Sequence, residues 1–90
     1  MVTVVVPAML RNLVGGASSL EVEGQTLGAV LDVVGARHPA LERRLRDESG
    51  ALRRYVNFYV DGEECRRLSG LSTALTPAAE VMIIPSVAGG

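Results

Sequence analysis

The chain contains no lysine and no tryptophan, and it has one cysteine, one histidine, one phenylalanine and two tyrosines. A lone cysteine, Cys65, excludes an internal disulfide framework and any cysteine cluster able to hold a structural metal. No apolar run is long enough to cross a bilayer. Met1 leads straight into strand-like residues, without the basic segment and apolar core of a secretory leader. The expectation is therefore a cytoplasmic protein that spans no membrane. Nine basic and ten acidic residues leave a net charge of −1, which argues against both disorder and a nucleic-acid-binding face. Partners must then be recognised by shape and apolar contact more than by field. With no lysine, no side chain offers an amine for acylation, although a GC-rich genome also produces a bias towards arginine.

What is present is apolar: 48% of the 90 residues, enough for one small domain, residues 1–90, around one core. Residues 2–6, "VTVVV", are β-branched throughout and stop at Pro7, which reads as a first strand. Gly15 and Gly16 mark a turn, and "LEVEG" alternates Leu20 and Val22 with Glu21 and Glu23 as a second strand. The period then changes. In "TLGAVLDVVGARHP", Leu27, Val30, Leu31 and Val34 share one helical stripe while Asp32 and Arg37 fall off it. Thr26 is the expected N-cap, and Pro39 is expected to close the helix. Gly28 and Gly35 each weaken an isolated helix by roughly 1 kcal/mol relative to alanine, so packing has to compensate. Leu41 and Leu45 stand at helical spacing in a polar run, which predicts a short turn of helix over the surface.

"RYVNFYV" followed by Asp61-Gly62 and "EECRRL" predicts a hairpin through a two-residue turn needing positive φ. Val56, Phe58 and Val60 then share one face, with Asn57 and Tyr59 on the other. After a turn-rich stretch with a short helical segment, "EVMIIP" predicts a last strand in which Val81 and Ile83 alternate with Met82 and Ile84. The order is strand, strand, helix, strand, strand, short helix, strand. Because the helix separates the second and third strands, the first and last are free to run side by side in mid-sheet. That is an α+β, β-grasp (ubiquitin-like) arrangement: a mixed sheet of four to five strands with one main helix on one face.

The sequence closes on Ile84-Pro85-Ser86-Val87-Ala88-Gly89-Gly90. Glycine brings no side-chain chemistry, so any task for this segment has to lie in the backbone and a terminal carboxylate. Residues 85–90 are expected to form a flexible tail. Pro85 ends the strand and starts the tail off extended, and Val87 and Ala88 are small apolar handles.

Four stretches together carry a family resemblance: "VPAMLRNLVGG", "TLGAVLDVV", "RYVNFYVDGEE" and above all "VMIIPSVAGG". Over its full length the chain resembles the ubiquitin-like sulfur carriers of the ThiS/MoaD family, and within them the CysO type more than the shorter thiamin carrier. The resemblance implies a protein cosubstrate and not an enzyme, with no catalytic residue, metal or bound cofactor of its own. It implies that Gly90 is adenylated by an E1-like enzyme using ATP and converted by a sulfur donor to a thiocarboxylate. The sulfur then passes to a biosynthetic acceptor, either in a pyridoxal-phosphate-dependent cysteine synthase, with a metalloprotease trimming the product off, or in an enzyme making a sulfur-containing secondary metabolite. Pro85, Ser86, Val87, Ala88 and Gly89 would be the arm inserted into those enzymes. Two other readings share the tail: the small subunit of molybdopterin synthase, and a ubiquitin-like modifier joined to lysines of other proteins.

Physical chemistry suits that tail. A main-chain carboxylate has a reference pKa of roughly 3.3 to 3.7 and is a poor electrophile at neutral pH, so it needs a leaving group before sulfur can be attached. An arm that threads different channels must adopt different φ and ψ values in each, and a Cβ at residue 89 or 90 would restrict it.

On the sheet face away from the helix, Asn57, Tyr59, Met82 and Ile84 are expected to point outward close to where the tail leaves. Exposed apolar groups clustered in this way mark a partner surface unless a loop covers them. Relatives of this fold dock their activating enzymes through that face. Other candidates read as structure. Cys65 has no histidine or second cysteine near it in sequence to lower its pKa. His38 stands at a helix end beside Pro39, where an imidazole meets the last carbonyls. Glu63, Glu64 and the arginine pairs 43/44, 53/54 and 66/67 read as solvated loop and edge positions.

Overall fold

The computed structural model describes residues 1–85. Five strands form one mixed sheet: β1 (Val2–Val5), β2 (Ser19–Val22), β3 (Val56–Val60), β4 (Glu63–Glu64) and β5 (Glu80–Pro85), in the order β2-β1-β5-β3-β4. β1 and β5 run parallel side by side at the centre, and the other neighbours are antiparallel. This is the arrangement expected from the position of the helix. β1 cannot pair in parallel with its sequence neighbour through a short loop, so the parallel partner has to be the strand that returns last.

One face of the sheet is the core. Val2, Val4 and Val6, Val22, Val56, Phe58, Val81 and Ile83 are buried there. The period-2 pattern of β3 and β5 fixes which residues face it. Helix α1 (Leu27–Arg37) lays Leu27, Val30, Leu31 and Val34 on this face, all fully buried, and Thr26 caps it by accepting a hydrogen bond from the Ala29 N–H at 3.1 Å. The two glycines of α1 lie at close approaches. A Cβ on Gly28 would stand 3.2 Å from the Leu71 carbonyl oxygen, and one on Gly35 would stand 2.8 Å from the Glu42 carboxyl carbon.

Three expectations need correction. Pro39 does not simply close α1; it opens a second helix, α2 (Pro39–Leu45), as its first residue, a position where proline's missing N–H is no loss. Leu41 and Leu45 are fully buried in the core and do not lie over the surface. The polar run disguised them because the charges around them occupy the outer side of a two-turn helix. Between β4 and β5 there are two short 3₁₀ turns, Cys65–Arg67 and Gly70–Ser72, so Cys65 begins a turn and is not on a return strand. The hairpin itself is as expected, with Asp61 at φ 50° and Gly62 at φ 89°.

Arg46, just after α2, ties α2 to α1. Its guanidinium donates to Glu42 at 2.7 Å and to Asp32 at 3.0 Å, and its side chain is only 9% exposed. Burial alone opposes its charge, but the hydrogen bonds to Glu42 and Asp32 outweigh that and raise its pKa.

Candidate functional site

β5 is the strand that leads to the glycine segment, and its neighbours β1 and β3 shape what surrounds it. Across the β3–β5 pair, Tyr59 stands opposite Met82 and Asn57 opposite Ile84. All four side chains lie on the face opposite α1, since the alternate residues Val56, Phe58, Val81 and Ile83 are buried. Met82 and Ile84 are 36% and 39% exposed, so no loop among the described residues closes over them. The outward placement read from the alternation is thus observed, and the four residues come together as two adjacent cross-strand pairs.

The structure adds a residue that sequence reasoning missed. Val5 on β1 stands opposite Met82 on the same open face and is half-buried. In "VTVVV" every residue is β-branched, so alternation gave no sign of which valines face outward; the parallel register with β5 supplies it. Towards the start of β5 the open face turns polar, with Thr3 donating to Glu21 at 3.0 Å and standing opposite Glu80.

At the other end, the last described pair is Val56 with Pro85. The Asp61 N–H donates directly to the Glu80 carbonyl at 2.9 Å. Antiparallel pairs alternate between bonded and non-bonded, so Asn57–Ile84 is a bonded pair and Val56–Pro85 is not. Pro85 therefore sits where β3 asks for no N–H, and the ladder loses nothing by ending on proline. Pro85, expected as the first residue of the flexible tail, instead belongs to β5, where it is paired with Val56. Ser86, Val87, Ala88, Gly89 and Gly90 lie outside the described residues.

Two arginines flank this end of β5. Arg11 donates through Nε to the Val6 carbonyl at 3.0 Å on the β1 side. On the β3 side, Arg66 donates to the Val56 carbonyl at 3.1 Å, the Arg53 carbonyl at 3.0 Å and Asn57 Oδ1 at 3.1 Å. Arg66 is thus a tie between elements and not the free surface charge that its place in an arginine pair suggested.

Cys65 is fully buried and is excluded from any exchange chemistry in the folded chain. Burial first, and then the Glu64 carboxylate, push its thiol pKa up, so it is held protonated. His38 caps α1 through its backbone, its N–H donating to the Val34 carbonyl at 2.8 Å. Among the described residues, no group of three or more histidine, cysteine, aspartate and glutamate side chains could hold a metal ion, and no helix is long and apolar enough to cross a membrane.

Comparison with known proteins extends the picture over the whole chain. The family model described as ThiS family matches residues 4–90. The sulfur carrier protein CysO of Mycobacterium tuberculosis is 44% identical over 91 residues, covering 99% of this chain and 98% of that protein. A chain of the Amycolatopsis orientalis BexX/CysO complex superposes with a TM-score of 0.91 at 38% identity, with both chains fully covered. Small archaeal modifier protein 1 of Methanosarcina acetivorans superposes with a TM-score of 0.86 at 32% identity, covering 99% of this chain and 95% of that one.

Proposed function

The chain belongs to the ThiS family, and from that premise we propose that it is a sulfur carrier whose working group is the main-chain carboxylate of Gly90. A carboxylate oxygen attacks the α-phosphorus of ATP in an E1-like enzyme, pyrophosphate leaves, and an acyl adenylate forms. Hydrosulfide or its equivalent from a sulfur donor attacks the acyl carbon, AMP leaves, and the product is a thiocarboxylate. Its sulfur, softer and more nucleophilic than the oxygen it replaces, attacks an activated carbon of the acceptor; a C=C π bond opens and takes up a proton, or a leaving group departs with its electron pair, and hydrolysis of the remaining acyl bond returns the Gly90 carboxylate. A cysteine synthase using pyridoxal phosphate, or an enzyme of sulfur-containing secondary metabolism, is the class of acceptor that the family resemblance implies. A metalloprotease would release the product in the first case.

The observation that carries this reading is the identity of 44% with CysO over nearly the full length of both chains. The fold supports it by making β5 the central strand, paired with β1 as far as Met82 and with β3 as far as Pro85, so that β5 holds Pro85 in place at its end. Ser86, Val87, Ala88 and Gly89 serve as the arm with Pro85 as its root in β5, and Asn57, Tyr59, Met82 and Ile84 with Val5 as the surface that the activating enzyme grips. The catalytic groups belong to the partner enzymes; the chain is their cosubstrate.

The likeness to archaeal modifier proteins favours a second reading, in which the activated Gly90 is passed to lysines of other proteins. Both readings begin with adenylation. ATP–pyrophosphate exchange by the E1-like enzyme of the same organism is the test: the full chain should support exchange and a chain lacking Gly90 should not. Equal exchange with the shortened chain would contradict the site.

A further inference from the structure

β4 pairs with Tyr59 and Val60, and among the described residues no strand pairs with the first half of β3 on that edge. Arg66 fills it. Its Nη2 donates to the carbonyls of Arg53 and Val56 at 3.0 and 3.1 Å, and its Nη1 donates to Asn57 Oδ1 at 3.1 Å and Glu64 Oε2 at 3.3 Å. The guanidinium takes the place of the strand that is missing there.

This arrangement decides which way the Asn57 carboxamide points. A guanidinium carries donors and no acceptor, so only the oxygen of Asn57 can face it. The Nδ2 group is therefore turned away from Arg66. Among the described residues Nδ2 makes no hydrogen bond, and its side chain stands on the open face beside Ile84, one pair before Pro85. The positive charge on the oxygen side also polarises the amide and strengthens its N–H groups as donors. A sharpened, fixed, neutral donor is thus held next to the apolar Ile84, at the point from which the arm departs.

We propose that Asn57 is a recognition residue for the activating enzyme, its Nδ2 donating to a main-chain carbonyl or carboxylate oxygen of that enzyme, and that Arg66 is the positioning residue that orients it. The inference rests on the proposed activation of Gly90. An enzyme that threads the arm must first register its root, and a donor one pair before Pro85 marks that root where the glycines cannot.

Asn57→Asp separates this role from a structural one. Aspartate keeps an oxygen for Arg66, in a stronger charge-assisted bond, but has no N–H to offer. In ATP–pyrophosphate exchange by the E1-like enzyme of the same organism, Asn57→Asp and Asn57→Ala should each raise the KM for the carrier about tenfold. The value of kcat should hold in both, and the melting temperature of Asn57→Asp should not fall. Arg66→Ala, which frees the carboxamide to rotate, should raise KM by a smaller factor. Wild-type KM in Asn57→Ala overturns the proposal even if Asn57→Asp is impaired, because repulsion would then explain the aspartate. A wild-type chain that is not adenylated, or a Gly90-deleted chain that is, overturns the function itself; normal activation with unchanged KM in both Asn57 variants overturns this inference alone.

Discussion

Tyr59 faces Met82 directly across the β3–β5 pair, on the side of the sheet away from α1. With Ile84 and Val5 these residues make an apolar patch at the centre of the sheet, continuous with the strand that leads to Gly90. Replacing Met82 or Ile84 by glutamate should therefore raise the KM for activation by about tenfold or more, as expected when an anchor inside an interface becomes charged. Stability should shift by no more than about 0.5 kcal/mol, since both side chains already meet solvent. Steady-state kinetics beside thermal melts check this; unchanged KM in both variants would remove the open face from the account.

The Arg46 tie predicts unequal losses from its partners. Asp32 is 73% exposed, and Asp32→Asn should cost no more than about 1 kcal/mol. Arg46 is buried, and Arg46→Ala should cost about 1–3 kcal/mol because it strands Glu42 against α1. Gly35→Ala should be destabilising as well, since its new methyl meets a carboxylate that Arg46 holds in place. Urea unfolding midpoints would order these variants.

Cys65 makes a pH prediction. Burial and Glu64 raise its pKa in the folded chain, while an unfolded thiol titrates near about 8.5. The folded state favours the protonated thiol, so this group's contribution to stability is complete below the unfolded value and is lost as pH rises towards the folded one. At pH 8 alkylation by iodoacetamide should be slow in the native chain and fast in urea, and Cys65→Ser should leave sulfur loading intact. Rapid native alkylation would contradict the burial.

The absence of lysine bears on the modifier reading. With arginine as the only basic side chain besides one histidine, no side chain of this protein can accept an activated glycine as an amide. Any chains of the carrier on an acceptor lysine should be joined through the Met1 amine alone, never through a side chain. Mass spectrometry of affinity-purified conjugates would show this, and a branched linkage on one of its own side chains would refute it.

Much of the fold was legible because period and punctuation agree. The stripe from Leu27 to Val34, the Thr26 cap, the Asp61-Gly62 turn and the alternation of Val81 and Ile83 with Met82 and Ile84 each have one reading. Where the sequence misled, a tertiary contact decided. Leu41 and Leu45 are buried because α2 is clamped to α1 through Arg46. Val5 is half-open because of its register with β5, and Arg66 is engaged because β4 stops after two residues. Of these, only the helical spacing of Leu41 and Leu45 leaves a local pattern, and it does not say that their side of the helix meets the core. The glycine segment was legible as chemistry through the resemblance, with its rationale in a carboxylate that needs activation.

The most direct measurement of the central claim is the intact mass of the protein purified from its native host under sulfur demand, with fragmentation to locate any change. A carrier acting through Gly90 should show a population in which one oxygen at the C-terminus is replaced by sulfur, and a chain lacking Gly90 should not. Only the unmodified carboxylate, or sulfur located at Cys65, would contradict it.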